Sequence, residues 1–178
     1  MILVPYDKEW PRWFVDLRGV LAQALGSSAR MIHHVGSTSV PGLTAKPILD
    51  IDVEIPDYSH LPSVETRLAA LGYGNSGDQG IPDRLAFKRE GDAVPYGDPP
   101  RTWIEHHLYV CPSFSVELRR HLEFRDYLVA HPEAQEEYVR IKLQIEAESN
   151  GDRRRYATIK EERARAFVEG ILTRVTNG

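Results

Sequence analysis

The stretch from His34 to Val53, HVGSTSVPGLTAKPILDIDV, constrains this chain more than any other. An apolar run stops at Gly36, a loop of small residues with hydroxyls at Ser37, Thr38 and Ser39 follows, and a β-branched run then carries Asp50 and Asp52. That order predicts strand, phosphate-sized loop, strand. Side chains alternate across a strand, so Asp50 and Asp52 project from one face while Ile51, Val53 and Ile55 take the buried one. Two carboxylates on one face can grip a divalent cation, and a Gly-Ser turn offers backbone N–H groups and a hydroxyl to a phosphate beside it. Like charges so placed repel, so without a cation at least one acid needs a raised pKa or a nearby Lys or Arg. A D-x-D pair or a Gly/Ser loop alone is common. Their order, with Ser37 thirteen residues ahead of Asp50, makes the combination informative.

The flanking sequence predicts layers. Asp7 can cap a helix with Trp10, Phe14, Leu17, Leu21 and Leu25 on one face, stopped by Gly26. Residues 29–35 form a first strand whose end carries His33 and His34, each most simply a hydrogen-bonded strand-end residue, and residues 48–55 form the aspartate strand. Residues 61–71 are a crossover helix, residues 84–89 a third strand and residues 103–111 a fourth, with Trp103, Glu105, His107 and Tyr109 sharing a face. Residues 72–82 and 90–101 lack apolar periodicity and are expected to be mobile loops, the second able to lie over or near the site. Three helices close the chain: one capped by Ser115, one opened by Pro132, and one over residues 156–175 after Asn150-Gly151. The expected fold is therefore α+β, a small mixed sheet with an N-terminal helix and a C-terminal helical bundle, as one domain over residues 1–178.

Val35-Gly36-Ser37 followed by Asp50-Ile51-Asp52-Val53 resembles the signature of the DNA polymerase beta-like nucleotidyltransferase superfamily. More closely, HVGSTSVPGLTAKPILDIDV resembles the GrpB family, small bacterial proteins placed in that superfamily by fold. Phe124-Arg125-Asp126-Tyr127-Leu128 with His131-Pro132-Glu133 and Tyr138 matches that family's second block, and Tyr156 with Lys160 its last. The resemblance implies a nucleotidyltransferase fold and a metal-dependent transfer of nucleoside monophosphate from a nucleoside triphosphate to an acceptor that the sequence does not name. Asp50 and Asp52 would bind Mg²⁺ (or Mn²⁺), and Gly36, Ser37, Lys46 and Arg84 would bind phosphate. Arg84 follows an Ile-Pro pair and precedes Phe87 by three, as in the family. The superfamily's third acid usually lies on a neighbouring strand, where the family's His-Leu-His-Val becomes His107-Leu108-Tyr109-Val110. Glu105 or His107 is left to take the acceptor's proton. Two rivals remain open: a nucleotide- or metal-binding protein of this fold without catalysis, and a metal-dependent hydrolase whose mixed His/Asp site uses His34 and His107 and favours Zn²⁺ or Mn²⁺. Arg125, Lys142 and Lys160, on the closing helices, are further cations that can face a triphosphate.

Charge excludes some partners. With 22 basic and 26 acidic residues the net charge is −4, so nothing global draws the chain to nucleic acid or to an anionic membrane. Phosphate recognition must be local. The single cysteine, Cys111, rules out an intramolecular disulfide and a cysteine zinc site, and the apolar run after Met1 is too short for a signal or a membrane span. A soluble, cytoplasmic protein is expected.

Overall fold

The computed structural model describes residues 2–177. Five strands, β1 (Met31–Val35), β2 (Leu49–Ile55), β3 (Tyr73–Asn75), β4 (Leu85–Arg89) and β5 (His106–Pro112), form one sheet in the order β1-β2-β5-β4-β3. Only β2 and β5 are parallel, and the chain between them holds the crossover helix α2 (Leu61–Ala70) and the β3–β4 hairpin. The other neighbours are antiparallel.

One face of the sheet is dry. Helix α1 (Trp10–Leu25) turns Trp10, Phe14, Leu17, Leu21 and Leu25 onto it, and they join Ile51, Val53 and Ile55 of β2 with Val64 and Leu68 of α2 in one core. Each such fully buried aliphatic side chain contributes roughly 1.5–3 kcal/mol, which fixes which face of β2 is left for the aspartates. Helices α3 (Val116–Ala130), α4 (Pro132–Ser149) and α5 (Arg153–Asn177) form a bundle on the opposite side. Ser115 caps α3, its Oγ accepting from the Leu118 N–H at 3.2 Å, and Pro132 opens α4, where its missing N–H has no partner to lose. Tyr138 stacks on Phe167 with centroids 5.3 Å apart, and Phe124 meets Tyr138 edge-on, tying the three helices together.

Several local expectations are corrected. The helix begins past Asp7, whose carboxylate instead accepts from the Glu9 N–H at 2.9 Å in a turn before α1. Segment 72–82 is not all loop: Tyr73–Asn75 is the edge strand β3, and buried Tyr73 donates its hydroxyl to His106 at 2.6 Å. Segment 90–101 lies on the far side of the sheet from the aspartates. Val94 is fully buried in the α1/α2 core, the Tyr96 N–H donates to Leu71, and Arg101 pairs with Asp16 of α1. Aperiodic sequence hid a packed strap, because single apolar anchors leave no repeat. Trp103 joins that same core, away from His107, because the ladder begins only at His106 and alternation does not extend back to it. Among the described residues no helix is long and apolar enough to cross a membrane.

Candidate active site

Alternation along β2 delivers Asp50 and Asp52 to the bundle side of the sheet, with Val35 of β1 opposite Asp50 and His107 and Tyr109 of β5 beside Asp50 and Asp52. The loop after β1 is locked from below. His34 stacks on Phe14 with centroids 4.7 Å apart, contacts Thr38 Oγ1 through Nε2 at 3.0 Å, and is driven by burial to a pKa of about 4, so it is neutral. Thr38 donates to the Ile48 carbonyl and Ser39 to that of Gly36. Gly36 has φ 71° and ψ −173°, a region essentially closed to other residues. A Cβ there would lie 2.2 Å from Asp50 Oδ2. The glycine therefore lets the loop backbone and the Asp50 carboxylate approach each other.

Two histidines, with Lys160 behind them at Asp50, answer the repulsion between the aspartates. His107 Nδ1 donates to Asp50 Oδ1 at 2.8 Å, while burial alone would raise the Asp50 pKa; this bond and the surrounding cations outweigh it and hold the carboxyl below its ordinary value. The same bond raises the His107 pKa. Asp52 is fully buried, and its Oδ2 accepts from His121 Nδ1 at 2.7 Å, while His121 Nε2 lies 3.2 Å from Glu117 Oε1 one helical turn earlier. Burial pulls the His121 pKa down, but two carboxylate partners overturn that and lift it to about 9, so His121 is an imidazolium. Asp52 Oδ1 is buried without a hydrogen-bond partner. That oxygen and Asp50 Oδ2 carry no hydrogen bond among the described residues, but of the two aspartates only Asp50 reaches the cleft between sheet and bundle. Among the described residues no three His, Cys, Asp or Glu side chains form a metal-binding cluster.

A cleft of about 720 Å³ separates this face from the bundle. At its loop end, Lys142 of α4 is buried, donates to the Thr44 carbonyl and lies 3.4 Å from Ser37 Oγ; burial and the nearby Lys160 lower its pKa to about 7. Lys46 sits over the Tyr156 ring at 4.2 Å, and Lys160 also lines the cleft. At the far end Arg84 lies over Tyr109 with 4.4 Å to the ring centroid.

The fold thus gathers Gly36, Ser37, Lys46, Asp50, Arg84 and His107 around one cleft. Glu105 stands outside it, exposed and 4.0 Å from Arg153. His34 faces the α1 side, and Arg125 donates to the His34 carbonyl at 3.0 Å, so it holds the end of β1. Sequence reasoning missed His121 and Glu117. Their i, i+4 spacing on α3 was the available signal, but nothing local ties that helix face to Asp52.

A profile of the GrpB protein family matches residues 1–174. The YqkA protein of Bacillus subtilis is 32% identical over 160 residues, covering 90% of this chain and 44% of that protein, so the chain spans less than half of this relative's length. Among solved structures, the conserved protein GrpB from Enterococcus faecalis superposes with a TM-score of 0.79 at 25% identity, covering 98% of this chain and 99% of that one. The Cid1 poly(U) polymerase with MgGTP bound superposes with a TM-score of 0.53 at 11% identity over 81% of this chain and 44% of that one, a likeness of fold alone. A profile match over nearly the whole length, together with this sheet and bundle, shows that the chain belongs to the GrpB family and has a nucleotidyltransferase-like fold.

Proposed function

We propose that the chain transfers a nucleoside monophosphate from a nucleoside triphosphate to an acceptor hydroxyl or amine, releasing pyrophosphate, with Mg²⁺ or Mn²⁺ held by Asp50 and Asp52. The observation that carries this reading is the pair of uncommitted carboxylate oxygens, Asp52 Oδ1 and Asp50 Oδ2, the second packed against a glycine where a Cβ would collide with it. Two protein carboxylates, with phosphate and water completing the shell, suit Mg²⁺. When bound, that ion supplies charge neutralisation at the phosphate oxygens. Gly36 and Ser37 offer the loop's polar groups to the triphosphate, and Lys46 of the segment before β2 with Lys142 and Lys160 of the bundle balance its charge. His107 is held by Asp50 through Nδ1, and its Nε2, which makes no hydrogen bond among the described residues, would take the acceptor's proton when the ring is neutral.

One observation favours a second reading, nucleotide binding without turnover: the β5 positions beside Asp50 and Asp52 hold His107 and Tyr109, not a third acid. The hydrolase reading gains no such support, because His34 is on the other face. Thermal melts with Mg²⁺ and each common nucleoside triphosphate, followed by pyrophosphate release in the presence of a panel of small hydroxyl and amine acceptors, separate the two. Wild type should be stabilised by a metal–nucleotide pair, and Asp50→Asn should melt near wild type yet lose that stabilisation. Release of pyrophosphate supports transfer, stabilisation without release supports binding alone, and a wild type unmoved by every pair refutes both.

A further inference from the structure

The cleft has two cationic ends, and the triphosphate proposed above needs one. Ser37 follows β1 and Arg84 precedes β4, three strand spacings away in the sheet, about 14 Å. The aspartates lie between them. Lys46, Lys142 and Lys160 serve the loop end, as described. Arg84 serves the other end with a different construction.

Its guanidinium lies on Tyr109, the residue in register with Asp52, and its Nε is buried with no hydrogen-bond partner. Among the described residues it forms no ion pair, whereas its neighbour Arg120 is engaged by both Glu117 and Glu169. The turn that aims it is fixed: Asp83 sits at φ 58°, and its carboxylate accepts from the Tyr58 hydroxyl at 2.6 Å. A planar fork held on an aromatic face without an acid is arranged for an oxyanion from outside the chain. The cleft of about 720 Å³ must hold the nucleotide as well, which leaves room at this end for a small ligand.

Resting on the transferase reading, we infer that Arg84 binds an oxyanion carried by the acceptor, so that the second substrate is a small phosphorylated or carboxylated molecule whose nucleophile faces Asp50. The nucleotide's own phosphates stay at the Ser37 end.

The test is calorimetric titration of the full chain with inorganic phosphate, with acetate and with a short single-stranded oligonucleotide, each with and without Mg²⁺ and the nucleoside triphosphate found to bind. Wild type, Arg84→Gln and Arg84→Lys are compared, after melts show that each variant is folded. Phosphate or acetate binding should survive saturating nucleotide, weaken at least tenfold in Arg84→Gln and recover in part in Arg84→Lys; the anion that binds more tightly names the acceptor's group. Binding wholly displaced by nucleotide, binding indifferent to Arg84, no binding of either small anion, or tighter Arg84-dependent binding of the oligonucleotide overturns the inference. Arg84-dependent phosphate binding in a protein that takes no nucleotide would instead retain the anion site and remove the transferase reading.

Discussion

Replacing Lys142 with methionine should change how stability depends on pH, and the structure sets the size of the change. The ammonium is buried, and burial with the nearby Lys160 lowers its pKa from 10.5 to about 7. Between those values the unfolded chain holds a proton that the folded chain does not, so stability rises with pH across that window. Below about 7 both states are protonated and the full burden of the buried charge is present. Linkage puts that burden at about 4 kcal/mol at pH 7 and about 2 kcal/mol at pH 9. Methionine removes it but leaves the Thr44 carbonyl without its donor, a loss of about 1–3 kcal/mol. The variant should therefore be more stable than wild type at pH 7 and close to it at pH 9, the difference narrowing by about 2 kcal/mol. Urea unfolding of both proteins at several pH values between 7 and 9 measures this difference and cancels the titrating groups that are not coupled to Lys142. A difference that stays constant across the window would refute the argument that Lys142 is held largely neutral.

The same variant should lose part of the nucleotide-dependent stabilisation, since under the proposed function a bound triphosphate draws a proton onto Lys142; retention of the full thermal shift would remove Lys142 from the site. Gly36→Ala should destabilise by about 1–3 kcal/mol from its backbone conformation alone, and more if Asp50 cannot move from the new Cβ, with loss of any Mg²⁺–nucleotide shift; a stable, responsive variant in chemical denaturation and thermal melts would contradict the cradle. Ser115→Ala should cost about 1 kcal/mol through the lost α3 cap, read by chemical denaturation, and leave ligand responses unchanged.

How much of this was legible followed from the range of the interactions. Helix α1, the face of β2 and the glycine loop rest on periodicity and backbone preference within a few residues, so Phe14, Asp50 and Gly36 could be placed from sequence. β3 is three residues long and carries one buried side chain, Tyr73, too little for a period to register. Segment 90–101 is held by Val94, Tyr96 and Arg101 reaching partners far along the chain. The same limit applies within the site. His107 was found because β5 alternates beside β2, but His121 meets Asp52 only because the bundle is laid over the sheet across 69 residues of chain.

The two histidines also decide which aspartate can report on a cation. Carboxylates at i and i+2 of a strand, about 7 Å apart, repel by about 2 kcal/mol at an effective dielectric of 20. A charge-assisted hydrogen bond contributes about 1.5–3 kcal/mol, so His107 and His121 together offset that repulsion before any metal arrives. Each takes one oxygen and leaves the other, so a cation need not displace either ring. The two sites are unequal, however. Asp52 is fully buried, and asparagine there removes one of the two carboxylate charges that hold the His121 imidazolium and leaves it to Glu117 alone, a loss of fold stability unrelated to ligand. Asp50 is partly exposed, and asparagine at that position retains an oxygen that can accept from His107 Nδ1. Asp50→Asn therefore removes negative charge from the site while sparing the scaffold, and its response to Mg²⁺ tests the metal reading, whereas Asp52→Asn tests the fold and the metal at once.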